Sequence, residues 1–137
     1  MSEDCAFCAI AADEAEASVV YEGERTIAFM DRSPIAEGHV LVVPRPHAGS
    51  LDDLDPDIGG RLFQVGQRVA GALRERLGAE GVNLFLADGE AAGQELFHVH
   101  LHVIPRAEDD GISFITARSR PGREALEATA GRIRPGV

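Results

Sequence analysis

Between His98 and Ile104 the chain reads His-Val-His-Leu-His-Val-Ile, with a histidine at every second place and aliphatic residues between. An extended chain turns successive side chains to opposite faces. A period of two therefore sends Val99, Leu101 and Val103 into a core and lines the other face with His98, His100 and His102. The spacing predicts a strand over Val99 to Ile104 that carries chemistry on one side. Same-face neighbours stand about 6.6 to 6.8 Å apart, so the outer pair lies about 13 Å apart, too far to share a metal with bonds of about 2.0 to 2.1 Å. Two neighbouring rings could share an ion. Three could not, so the histidines must divide their duties.

Local signals place the other elements around this strand. Asp55-Pro56 is a helix start, an Asp able to cap free amides followed by a proline whose missing donor costs nothing at the first position. Ile58, Leu62, Val65, Val69, Leu73 and Leu77 then recur at three- and four-residue steps up to Gly78, which predicts one long amphipathic helix. Val19 to Glu22 and Thr26 to Asp31 read as a hairpin around Gly23. His39 to Val43 reads as a strand covered on both faces, closed by Pro44 and Pro46, and Val82 to Leu86 as another, followed by a Gly89 to Gly93 loop. Cys8 to Ala17 and Pro121 to Ile133 read as helices. The expected class is α+β, with an antiparallel five-stranded sheet, one long helix and a C-terminal helix, in a single domain over 1–137.

The 13 cations are all arginine, and the formal charge is −10. Without lysine, Schiff-base chemistry and the phosphate loop ending in Gly-Lys are excluded. Arginines scattered among more numerous acids argue against polymeric nucleic acid as a partner. No apolar run approaches the length that crosses a bilayer, and Met1 to Ile10 lacks a basic region before an apolar stretch, so the expectation is a cytoplasmic protein with no membrane partner.

Cys5-Ala6-Phe7-Cys8 holds the only cysteines. Absent a secretion signal, such a pair reads as metal or redox. A closed zinc site needs two further ligands; free thiols packed near the amino terminus are the other reading.

Gly93-Gln94, the histidine triad and Pro105-Arg106, together with Ala28-Phe29-Met30-Asp31, Pro34, Gly38-His39-Val40-Leu41-Val42-Val43-Pro44-Arg45 and His47, resemble the histidine triad family of nucleotide hydrolases and transferases. The resemblance spans residues 5 to 106, leaving 107–137 as a C-terminal extension. It implies a helix-flanked antiparallel sheet, a homodimer and a purine nucleotide substrate. His100 becomes the nucleophile that attacks the α-phosphorus and is transiently nucleotidylated. A neutral imidazole suits that role, because it meets an anionic phosphate without repulsion. The resemblance also assigns His102 and Gln94 to the phosphate or departing group and Asp31 to the ribose hydroxyls, with Phe7, Ile10 and Phe29 around the base. Taken alone, Asp31 reads equally as a strand-end carboxylate and the three apolar residues as core. His39 is placed beside the site in support, with a packed strand histidine as the other reading. In the zinc-containing branch of the family, the metal ligands correspond to Cys5, Cys8, His47 and His98. This leaves His98 as an anchor and His100 free.

Glu95 stands where phosphoramidase members carry Ser or Thr, and Ala87 where they carry Asn or Gln. An anion near a phosphate is repulsive unless it is protonated, turned away or paired, for instance with Arg106; otherwise the leaving group is cationic or neutral. The functional expectation is cleavage of a nucleotidyl P–N or P–O bond, in an adenosine phosphoramidate or a dinucleoside polyphosphate. A nucleotide-binding scaffold with little catalysis and a zinc-handling module are the alternatives.

Overall fold

The computed structural model describes residues 4–137. Its elements run α1 (Ala6–Ala11), β1 (Val19–Glu22), β2 (Thr26–Met30), β3 (Val40–Pro44), α2 (Pro56–Leu77), β4 (Gly81–Phe85), β5 (Leu101–Arg106) and α3 (Arg123–Ile133). The strands form one antiparallel sheet in the order β1-β2-β3-β5-β4, so the expected α+β class with five antiparallel strands is what the chain adopts. Strand β3 is the central one, and every residue of it is buried, as expected of a strand covered on both faces.

Alternation sorts the sheet into two faces. Val40 and Val42 of β3, Leu101 and Val103 of β5, and Ala28 of β2 pack against Leu62, Val65, Val69 and Leu73 of α2. Replacing a buried leucine such as Leu62 by alanine in a layer of this kind costs about 2 to 5 kcal/mol. The helix lies close enough that a Cβ on Gly66 would stand 2.9 Å from Leu101 Cδ2 and 3.1 Å from Leu84 Cδ2, so position 66 must stay small. Both predicted helix limits hold. Asp55 caps Asp57 N, and Gly78 closes the helix at φ 71° while Ala79 N donates to Leu73 O. The opposite face carries Ile27, Phe29, Leu41 and Val43, covered on one side by α1 through Cys5, Phe7 and Cys8 and left open on the other.

The element limits differ from the sequence expectation most at α1 and at the start of β5. Helix α1 begins at Ala6 rather than Cys8, because Cys5 Sγ accepts from Cys8 N and caps the turn. It ends at Ala11 rather than Ala17, with Asp13 at φ 61°. Extending it would stack Asp13, Glu14 and Glu16 on the negative end of the helix dipole. Strand β5 begins at Leu101 rather than Val99, since pairing with β3 stops at Val42↔Leu101 and with β4 at Phe85↔His102. Among the described residues no helix is long and apolar enough to cross a membrane.

Candidate active site and metal centre

The open part of the second face is a cleft of about 1210 Å³ whose apolar wall includes Phe7, Ile10, Phe29 and Leu41, with His100 and His102 in its lining and Asp31 on the same surface. Phe7 and Phe29 meet edge to face at 5.4 Å, and the Phe7 ring also touches His98 and His100 at 5.8 and 5.1 Å. The His100 and His102 rings are 4.9 Å apart. The alternation thus brings all three triad imidazoles to one side of the extended segment, with different surroundings for each.

His100 is half-buried, and its Nδ1 lies 2.7 Å from the backbone carbonyl of His98. A carbonyl only accepts, so Nδ1 carries the proton and Nε2 keeps its lone pair. His102 has the reverse arrangement. The backbone N–H of Ile35 donates to His39 Nδ1 at 3.0 Å, which leaves the proton of neutral His39 on Nε2. That proton points at His102 Nδ1, 2.9 Å away, so His102 accepts there and carries its own hydrogen on Nε2. Asp31 Oδ2 stands 3.5 Å from His39 Nε2, and its other oxygen accepts from Ser33 N at 2.8 Å. Burial, then the neighbouring His100 and His39, push the His102 pKa down to about 4 against a smaller pull from Asp31. Burial likewise lowers His39. Phe85 of β4 stacks on the His102 ring at 4.3 Å with 12° between the planes, a support that sequence reading missed because it depends on the β4–β5 register.

The second cluster lies beside α1. Cys5 Sγ is 3.3 Å from His98 Nδ1, and Cys8 Sγ is 3.3 Å from His47 Nδ1 and 3.5 Å from His98 Nδ1. All four donor atoms fall within 4.8 Å of one another. His98 is fully buried, and its Nε2 donates to Pro44 O at 2.8 Å, which leaves the Nδ1 lone pair aimed at the thiols. A carbonyl behind the ring is the usual orienting partner of a metal-bound histidine. The donor set therefore fits a closed tetrahedral metal such as zinc. Asp31, His39 and His102 meet the same distance test. Their hydrogen bonds do not fit a metal, because His39 would have to surrender its Nε2 proton while Nδ1 still faces an N–H.

Gln94 is buried and points away from the cleft. Its Oε1 accepts from Gly89 N at 2.7 Å, while Nε2 donates to Gly49 O and Leu96 O. Here it ties the 89–94 loop to the chain after β3, with no side-chain atom left for a phosphate. Glu95, by contrast, lines the cleft. Arg106 does not pair with it. That guanidinium binds Asp110 at 2.8 Å, Asn83 at 2.7 Å and Ile112 O at 2.6 Å, outside the cleft.

Comparison with known proteins accords with this geometry. The HIT domain profile matches residues 12–109. A HIT family protein from Bacillus anthracis superposes with a TM-score of 0.90 at 36% identity, over 100% of this chain and 99% of that one. A zinc-bound histidine triad family protein from Mycobacterium smegmatis gives 0.78 at 40% identity, over 98% of each chain. Adenylylsulfatase HINT3 of Arabidopsis thaliana is 32% identical over 110 residues, 80% of this chain and 56% of that protein. Histidine triad, thiol–imidazole cluster and profile agree, and the chain belongs to the HIT, or histidine triad, family.

Proposed function

We propose that the protein is a nucleotide hydrolase or transferase that cleaves a nucleotidyl P–N or P–O bond through a nucleotidyl-histidine intermediate. One observation carries this reading. His100 donates Nδ1–H to the His98 carbonyl, so a neutral Nε2 lone pair is available to the cleft. Attack of Nε2 on the α-phosphorus forms an N–P bond as the bond to the leaving group breaks. His102, fixed as an Nε2–H donor, is suited to meet a phosphate oxygen or the departing atom. Water then forms the new P–O bond, the N–P bond breaks, and His100 is restored. In this reading Phe7, Ile10 and Phe29 hold a purine base and Asp31 the ribose hydroxyls. Gln94 acts through the 89–94 loop it pins, which differs from the direct phosphate contact that the resemblance implied.

Cys5, Cys8, His47 and His98 would hold zinc as a structural ion, with no open position for water. When bound it supplies a cross-link between α1, the end of β3 and the triad segment. Residue 98 also provides the carbonyl that sets the His100 tautomer. The name of the M. smegmatis relative supports zinc, and that of HINT3 supports adenylyl chemistry. A homodimer belongs to the proposal too. The outer edge of β4 ends the sheet, and Phe85, Phe114, Leu126 and Ile133 are exposed. Monomers by light scattering at micromolar concentration would remove that part.

The test is turnover of an adenosine phosphoramidate and of a dinucleoside polyphosphate by the wild type and by His100→Ala. The variant is expected to lose at least about 10³-fold in kcat. Unchanged turnover would take His100 out of the mechanism. Nucleotide binding without turnover of any substrate would favour the scaffold reading instead.

A further inference from the structure

Glu95 lines the cleft beside the triad, and the proposed chemistry does not use it. The residue is exposed, stands in the lining of the same cleft as His100 and His102, and has no hydrogen-bond or ion-pair partner among the described residues. Pairing, one of the escapes open to an anion near a phosphate, is thereby closed. Arg106, the cation nearest in sequence to the triad, is occupied by Asp110 and Asn83.

The rest of the lining has the same sign. Asp13, Glu14, Glu16, Glu22, Asp31 and Glu95 border the cleft, against two guanidinium groups, Arg32 and Arg45. Arg45 is spent on the wall itself, donating to Gly23 O at 2.8 Å and Ala11 O at 2.7 Å with Glu22 at 3.6 Å. Among the described residues of the lining, Arg32 is the guanidinium that remains to face incoming phosphate. Such a surface repels a polyanion on approach and attracts a cation. A polyphosphate chain brings several charges that the cleft cannot match, whereas a single phosphoramidate brings one.

We infer that Glu95 makes this cleft selective for nucleoside 5′-phosphoramidates whose leaving amine carries a second, protonated amine, and against dinucleoside polyphosphates. The inference rests on the nucleotidyl-transfer reading above and names its substrate class. Glu95 pairs with the distal ammonium while His100 Nε2 forms the N–P bond and the P–N bond to the proximal nitrogen breaks. The departing nitrogen takes a proton from solvent and leaves as a diamine. In the second step water adds its oxygen to phosphorus as the N–P bond breaks and returns a proton to solvent, so the products are a nucleoside monophosphate and the free diamine.

The experiment compares two substrates sharing the same adenosine 5′-phosphoryl half, one with 1,4-diaminobutane and one with pentylamine as leaving group. A dinucleoside polyphosphate is the third. Expected is a kcat/KM for the diamine compound about fivefold above that for the pentylamine compound, the scale of one solvent-exposed ion pair. The ratio should fall towards one in Glu95→Gln, invert in Glu95→Lys, and shrink in the wild type as salt is raised. Turnover of both amine substrates at equal efficiency, or a ratio unmoved in Glu95→Gln, overturns the role of Glu95 and leaves the enzyme reading standing. So does a polyphosphate turned over better than either. Failure to turn over all three overturns both.

Discussion

Two groups of side chains in this molecule pass the same distance test for holding a metal, yet their hydrogen bonds assign them opposite work. In the cluster of Cys5, Cys8, His47 and His98, the far nitrogen of His98 faces a carbonyl, so the near one offers a lone pair. In the cluster of Asp31, His39 and His102, the far nitrogen of His39 faces an amide N–H, so the near one offers a proton. A single backbone group behind the imidazole separates a ligand from a donor. Spacing cannot distinguish these cases.

The largest effect that can break this contrast comes from the thiols. Purified protein is expected to hold one zinc per chain, with no second ion taken up at Asp31, His39 and His102 under excess zinc. Cys5→Ser/Cys8→Ser should lose the metal and at least about 3 kcal/mol of stability, because binding energy at a structural site is folding energy. On a chain of this size that is a fall in Tm of roughly 10 °C. Metal analysis and thermal melts check both. Full zinc in the double variant would overturn the ligand set, and a second tightly held ion would overturn the contrast.

Next in size is the lock on His102. An asparagine at 39 can present an oxygen where Nδ1 stood and keep the Ile35 N–H satisfied, but it has no reach to His102. A glutamine can present an N–H where Nε2 stood and lose only the Ile35 bond. His39→Asn should therefore lower kcat by about 100-fold, the lower end of what a positioned proton donor contributes, and His39→Gln by less than about fivefold. Nitrogen NMR should show His102 protonated at Nε2 in the wild type and as mixed tautomers in His39→Asn. If both variants lose activity equally, His39 is packing and not a positioning residue.

What the sequence discloses about these clusters follows how local each constraint is. The helix from Pro56 to Leu77 is legible because its apolar stripe lies within it and its cap and stop adjoin it in sequence. The histidine alternation is legible for the same reason, and it predicts the shared face although the ladder itself begins only at Leu101. Roles set by partners far along the chain are not. The resemblance makes Gln94 a phosphate ligand, whereas in the fold its amide bonds Gly49, Gly89 and Leu96. Arg106 reads as a counter-ion for Glu95 until Asp110 claims it. His39 could be either core or site, and it is both: buried at 1% exposure while aiming its proton at His102.

The smallest expected effect tests the donor side of the contrast through acid. Folded His102 titrates at about 4, while the unfolded side chain titrates near its ordinary value of about 6.5. Between those values the unfolded chain binds a proton at this position that the folded chain refuses. Stability is therefore present in full above about pH 6.5 and is lost as pH falls towards 4. Replacing His102 by Gln removes that linkage and leaves Cys5, Cys8, His47 and His98 in place. The gap in unfolding free energy between the wild type and His102→Gln should narrow by about 1 to 2 kcal/mol from pH 7 to pH 5, measured by denaturant titration at each pH. A gap that holds constant would mean that His102 accepts a proton in the fold, which its bond from His39 Nε2–H forbids. The separation between ligand histidine and donor histidine would then fail at its donor end.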